Sequence, residues 1–204
     1  MPPSATIAVF DLGGVLVDWN PRHLYRKLFS GDEGAMEHFL ANVCTQAWNE
    51  RQDAGRPHSE GEAELIALHP DKADLIRAFH ARWEEMLAGA ILGTVDILAD
   101  LKARGVPLFA LTNWSSETFH HAERRFEFIG WFNDVLVSGR EKMIKPDPQI
   151  FRLMMDRFGI APGTAVYIDD VPRNVAAGEA AGMKGLLFID PPKLRKDLEA
   201  LNLL

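Results

Sequence analysis

Asp11, Thr112, Asn113, Lys145, Asp169 and Asp170 could do chemistry together. Each follows a short run of β-forming residues directly, except Lys145, which lies in the loop after such a run. Packing does not call for three carboxylates beside one lysine, because crowded carboxylates repel and raise one another's pKa unless a cation joins them. A divalent metal is the simplest such cation. Hard Mg²⁺ takes a few carboxylates, carbonyls, waters and phosphate oxygens. Taken singly, each residue has an ordinary reading: Asp11 and Thr112 as turn residues, Lys145 as a solvated loop lysine, and Asp170 or Asn174 as the N-cap of a helix.

The elements that must position these residues are legible as alternating runs. Thr6-Ile7-Ala8-Val9-Phe10 reads as a buried strand that stops at Asp11 and turns at Gly13-Gly14. Strands are predicted again over 106–111, 135–137, 165–168 and 185–189, each after a helix-like stretch: around 95–102, 117–128, 149–158 and 174–181. Strands alternating with helices of about ten to fifteen residues predict βαβ units, hence a doubly wound parallel α/β sheet. In such a sheet ligands bind outside the carboxyl ends of the strands, where strand order reverses. The six residues stand at those ends.

Residues 19–90 differ in character. They carry no strand-like run and five helical ones, over 21–29, 35–42, 45–52, 59–68 and 72–87. Ser59 and Glu62 have capping-box spacing, and Asp71 after Pro70 is placed to cap the longest helix. There Leu75, Ile76, Phe79, Trp83, Met86 and Leu87 form one apolar stripe, read as core. The expected organisation is an α/β core of residues 1–18 and 91–204 with a helical cap, 19–90, inserted after the first strand.

Composition removes several classes of function. With 47% hydrophobic and 25% charged residues, the 204-residue chain is neither disordered nor fibrous. A net charge of −7 gives no general attraction to nucleic acid or anionic membranes. No run approaches the roughly 18 apolar residues of a membrane span, and the N-terminus lacks the pattern of a secretory leader. The single Cys44 excludes an internal disulfide and any multi-cysteine metal site. The expectation is a cytoplasmic protein.

Phe10-Asp11-Leu12-Gly13-Gly14-Val15-Leu16-Val17-Asp18, then Leu111-Thr112-Asn113, then Ile144-Lys145-Pro146-Asp147, then Tyr167-Ile168-Asp169-Asp170 followed by Asn174, resemble the four ordered motifs of the haloacid dehalogenase-like hydrolase superfamily. The helical insertion resembles its C1-type cap of subfamily I. The resemblance implies a Mg²⁺-dependent phosphatase acting on a small phosphorylated metabolite such as a sugar phosphate. Asp11 would be the nucleophile that forms an aspartyl-phosphate. Thr112 and the Asn113 backbone would hydrogen-bond the phosphoryl oxygens. Lys145 would offset the charge accumulating there. Asp11, the Gly13 carbonyl and Asp170 would hold the metal, while Asp169 would hold a metal-bound water or Lys145.

The chain departs from the common phosphatase form at Gly13, where that form has a second Asp serving as general acid and base. Such a group contributes about 10² to 10⁴-fold. Asp18, His23 and a metal-bound water are the substitutes visible in sequence. Metal-independent 2-haloacid dehalogenases also lack the second Asp, but they usually carry a Tyr there and lack the acid pair of the fourth motif. A third reading is a phosphometabolite-binding or phosphoacceptor protein without turnover. For the substrate pocket the candidates are Trp19, Arg22, His23 and Trp114, the last either a pocket wall or packing against the insertion. His120 and His121 are expected to diverge on a helix and not to form a metal pair.

Overall fold

The computed structural model describes residues 5–204; the first four residues of the expected core segment lie outside them. The chain runs through β1 (Ile7–Phe10), β2 (Val17–Trp19), α1 (Arg22–Leu28), α2 (Glu33–Asn42), α3 (Gln46–Asp53), α4 (His58–Leu68), α5 (Ala73–Ala81) and β3 (Leu87–Ala90). It continues through α6 (Leu92–Ala103), β4 (Leu108–Thr112), α7 (Phe119–Arg125), β5 (Asp134–Val137), α8 (Ser138–Glu141), α9 (Pro148–Phe158), β6 (Ala165–Asp169), α10 (Pro172–Ala180), β7 (Lys184–Leu187) and α11 (Pro191–Ala200).

The main sheet has the order β5-β4-β1-β6-β7, and all of its pairs are parallel. The chain builds outward from β1 through β4 to β5, then crosses back to lay β6 on the other side. Strand order therefore reverses at β1, whose carboxyl end is flanked by those of β4 and β6. Both faces are buried, as a parallel sheet requires. Val9, Leu111, Leu136 and Tyr167 meet Ile150, Phe151 and Met154 of α9 on one face. Ala8, Phe10, Ala110 and Ile168 alternate to the other, with Ile97, Leu98 and Leu101 of α6 and Leu194 and Leu198 of α11. Helix α9 has strong local signals: Pro148 in its first turn, the Asp147 side chain accepting from Gln149 N at 2.8 Å, and Gly159 ending it at φ 66°.

The residues between β2 and β3 are helical, as the sequence indicates. Asp32 caps α2 and Thr45 caps α3. Tyr25, Phe39, Trp48 and Phe79 fill the space between the helices, with Trp48 edge-on to Phe79 at 5.0 Å. Among the described residues no helix is long and apolar enough to cross a membrane.

Several local expectations need correction. Val17–Trp19 and Leu87–Ala90 form a two-stranded antiparallel sheet at the base of the insertion, where no strand was expected. The pairing joins segments far apart in sequence, and Leu-Ala-Gly-Ala has little intrinsic β preference. The helix expected over 72–87 is instead a 3₁₀ turn (Pro70–Lys72), α5, a second 3₁₀ turn (Trp83–Met86) and then β3. Its apolar stripe is core as read: Ile76, Phe79, Trp83, Met86 and Leu87 are all buried. The break after Ala81 lets Leu87 enter the ladder with Trp19. The Ser59–Glu62 capping box does not form, because α4 starts at His58, whose backbone N–H donates to Glu117 at 3.3 Å. Asp71 pairs with Lys72 and caps nothing.

Phe151 of α9 meets Tyr167 edge-on at 5.4 Å, and both are fully buried. Phe151→Ala is expected to lower stability by about 3–5 kcal/mol, read as an earlier urea midpoint with an unchanged m-value.

Candidate active site

The carboxyl ends of β1, β4 and β6 bring Asp11, Thr112 and Asp169 together, as the strand register dictates. Phe10 pairs with both Ala110 and Ile168, and Asp11 N donates to Ile168 O at 2.8 Å. Beyond Asp11 the chain makes a tight turn. Leu12 O accepts from Leu16 N at 2.8 Å and Val17 N at 2.9 Å, and Leu12, Val15 and Leu16 are buried beneath it. Gly14 has φ 74° in this turn, and a Cβ there would lie 2.3 Å from Asp170 Oδ2. A glycine is needed both for the backbone conformation and for Asp170 to lean against the loop.

Lys145 is the centre of the site. Its side chain is 1% exposed, and Nζ lies 2.8 Å from Asp11 Oδ2, 2.8 Å from Asp169 Oδ2 and 3.0 Å from Leu111 O. The Asn113 side chain fixes the lysine backbone, with Oδ1 accepting from Lys145 N at 2.8 Å and Nδ2 donating to Lys145 O at 3.0 Å. The Asn113 side chain thus positions the lysine. Asp169 is fully buried and crowded with donors: Tyr167 Oη at 2.5 Å, Val171 N at 2.8 Å and Asn174 Nδ2 at 3.1 Å, besides Lys145. Neither Asp170 nor Asn174 caps α10; Asp169 takes the Val171 N–H, and Asn174 serves Asp169.

The electrostatics follow from these donors. Burial pushes the Asp11 carboxyl up to about 7 against the pull of Lys145, and Asp169 and Asp170 push the same way. Burial acts likewise on Asp169, but Lys145, Tyr167 and the Val171 N–H outweigh it and hold that carboxyl low. Burial would lower the Lys145 ammonium, yet the two carboxylates keep it above the ordinary lysine value. Asp170 is raised, first by burial and then by Asp169. One ammonium among three acids leaves net negative charge, and ligand oxygens of Asp11, Asp169 and Asp170 lie within 4.8 Å of one another. Hard oxygen donors with an excess of negative charge fit a divalent cation such as Mg²⁺.

Beside this cluster a cleft with about 380 Å³ of empty space, partly open to solvent, lies between the sheet and the helical insertion. Gly13, Asn113, Trp114 and Ser115 line it from the sheet side. Trp19, Asn49, Asp53, His58 and Trp83 line it from the insertion side. Among the described residues the Trp19 and Trp114 indole nitrogens and both ring nitrogens of His58 are buried without partners. Trp19 and Trp114 therefore reach the cleft as the sequence suggested, and Trp114 also packs on Trp83 at 5.2 Å. Arg22 pairs with Glu37 instead. Asp18 and His23 pair with each other at 3.1 Å and do not line the cleft. His120 and His121 do not diverge: their rings are 4.0 Å apart, and His121 faces Glu84.

Sequence reading missed Tyr167 as a partner of Asp169, and it missed Asn49, Asp53 and His58 in the cleft. Tyr167 reads as one more apolar strand residue, and the other three as ordinary helix positions. A second set of potential metal ligands, His58, His80 and Glu117, also comes within 4.8 Å. The two imidazoles are stacked at 4.2 Å and 11° from parallel, which sets their lone pairs side by side rather than toward a common ion.

The profile of the haloacid dehalogenase-like hydrolases matches residues 5–182. A sesquiterpene phosphatase of Aspergillus oryzae is 23% identical over 90% of this chain and 89% of its own. The pyrophosphatase PpaX of Bacillus velezensis is 27% identical over 88% of this chain and 81% of its own. A solved enzyme of the haloacid dehalogenase family from Bacteroides thetaiotaomicron, in complex with magnesium and inorganic phosphate, superposes with a TM-score of 0.67. It is 21% identical and covers 91% of this chain and 95% of its own.

Lys145→Met strands two buried carboxylates without their cation. With chelator present it is expected to cost about 3–5 kcal/mol at pH 7. The two acids then ionise in the fold only above their unfolded values, so the penalty shrinks as pH falls toward about 4 and they protonate. Urea denaturation at both pH values measures this, and an equal loss at each would contradict it.

Proposed function

The chain belongs to the haloacid dehalogenase-like hydrolases, and from that premise we propose that it is a Mg²⁺-dependent phosphoric monoester hydrolase acting on a small phosphorylated metabolite. The observation that carries this reading is the cluster of Asp11, Asp169 and Asp170 around a single ammonium at the point where strand order reverses. Asp11 attacks phosphorus in line, the ester oxygen leaves, and water then hydrolyses the aspartyl-phosphate. The Lys145 ammonium, already fixed on Asp11, offsets charge as it builds on the phosphoryl oxygens. The Thr112 hydroxyl and the Asn113 backbone hydrogen-bond those oxygens. Asp169 positions the lysine through the contacts described above.

Asp11, Asp170 and the Gly13 carbonyl would hold Mg²⁺, with Asp169 behind them. Bound there, it supplies the positive charge that favours the Asp11 carboxylate and faces the transferred phosphoryl group. Residues 19–90 act as a C1-type cap that closes the cleft over the substrate. The unpartnered indole and imidazole nitrogens between Trp19, Trp114 and His58 suit a substrate with hydroxyl or other polar groups, such as a sugar phosphate. A buried, unpaired Cys44 suits work in a reducing cytoplasm.

Gly13 also suits the metal-independent 2-haloacid dehalogenase reading, but three acids around one lysine suit a metal better. Phosphate release from small phosphomonoesters is expected to require Mg²⁺ and to fall at least about 10³-fold in Asp11→Asn. Asp170→Asn should weaken Mg²⁺ binding by titration calorimetry. Release that is indifferent to chelator, or halide release from a 2-haloacid without metal, would overturn the proposal.

A further inference from the structure

If the phosphatase reading holds, two proton transfers need a group that Gly13 cannot supply. We propose that Asp53, carried into the cleft by α3, donates the proton to the leaving alcohol and later takes one from the attacking water. The inference rests on the proposed phosphatase activity.

Asp53 lines the same cleft as Gly13, Asn113 and Trp114. A Cβ placed on Gly13 would meet nothing within 4 Å, so the floor of the cleft beside Asp11 is open. The last turn of α3 is docked on the sheet side at short range. Ser138 Oγ donates to the Asp53 carbonyl at 2.6 Å, and Gly55, at φ 92°, comes so near that a Cβ would lie 2.9 Å from Gly139 O. The backbone at Asp53 is therefore pinned against the sheet side, although it belongs to the insertion. Asn49 Nδ2 donates to Oδ2 at 2.9 Å, while no cation pairs with this carboxyl among the described residues.

The surroundings suit a group that both holds and releases a proton. Burial pushes the Asp53 carboxyl up to about 7 and Glu50 pushes the same way, while the Ser115 N–H and Lys145 pull it down. The carboxyl end of α3 favours the neutral acid as well. Of the charged groups around it, Glu50 is drawn off by Arg173 at 2.6 Å and Lys145 is engaged with Asp11 and Asp169. His58 lines the same cleft, but burial pushes its imidazole down to about 4, so at neutral pH it has no acidic proton to give. A carboxyl that titrates near the working pH is the most effective general acid and base.

In the first step Asp11 Oδ bonds to phosphorus as the phosphorus–ester oxygen bond breaks, and the Asp53 proton passes to that oxygen, releasing the alcohol. In the second, water oxygen bonds to phosphorus as the Asp11–phosphorus bond breaks. The Asp53 carboxylate takes the water proton, restoring both acids and freeing phosphate.

The test uses the Mg²⁺-loaded enzyme with phenyl phosphate, whose phenol leaves poorly, and p-nitrophenyl phosphate, whose phenol needs little protonation. Asp53→Asn is expected to lower kcat/KM, which covers only the steps up to release of the alcohol, by about 10² to 10⁴-fold on phenyl phosphate and by less than about tenfold on p-nitrophenyl phosphate. Adding Gly13→Asp to that variant should restore most of the loss. Equal losses of kcat/KM on the two esters, or no loss, overturn the proposal. If Asp53→Asn does not fold, Asp53→Glu decides: the basic limb of the kcat–pH profile must move, and an unmoved limb overturns the proposal. A wild-type enzyme that releases no phosphate from either ester sinks the phosphatase reading itself; turnover with an indifferent Asp53 sinks only this inference.

Discussion

The Lys145 ammonium, enclosed between Asp11 and Asp169, is the interaction on which the rest of the structure depends. Burying that charge is costly unless it is paired and its hydrogens are satisfied, and all three of its contacts come from different places in the chain. The pairing in turn fixes what surrounds it. Asn113 clamps the lysine backbone, and Tyr167, Val171 and Asn174 saturate Asp169. Asp169 is thereby tied down as an anchor, while Asp11 keeps fewer donors and is slightly less buried. The same kind of residue thus takes two roles, separated by the hydrogen bonds each one receives.

The turn after β1 shows how a local constraint serves this arrangement. Leu12, Val15 and Leu16 are driven inward by burial, which turns the backbone sharply, and Gly14 takes the positive φ that the turn demands. The same missing side chain leaves room for Asp170. Gly13 is a different matter, because its backbone needs no special conformation and space above it is open. Its lack of a side chain moves the acid–base question to the insertion, where Asp53 faces the cleft.

The insertion and the sheet are therefore parts of one chemical unit. One apolar cluster runs from Phe10 and Ile168 through Leu24, Tyr25 and Trp48, and the β2–β3 ladder ties the insertion's two ends together. Trp19, Asn49, Asp53, His58 and Trp83 reach the cleft from its far side. Asn49, Asp53 and His58 add polar groups to the cleft from this side, while the buried charge cluster is built at the strand ends.

What the sequence determined by itself was whatever is written in short-range signals. Apolar runs ending in Asp11, Thr112 and Asp169, helices of the right length between them, and the Pro148 and Asp147 start of α9 are local, so the parallel α/β sheet and the carboxylate cluster were legible. The failures share one physical cause. Leu87–Ala90 is a strand only because Val17–Trp19 lies beside it, and the 59–62 cap gave way because Glu117 offered the His58 N–H a partner. Asp53, Tyr167 and His58 look ordinary in the chain because their surroundings, not their neighbours in sequence, give them their properties. Burial and contacts between distant segments exist only once the chain is folded, so only the tertiary structure could decide which acid anchors the lysine and which side chains face the cleft.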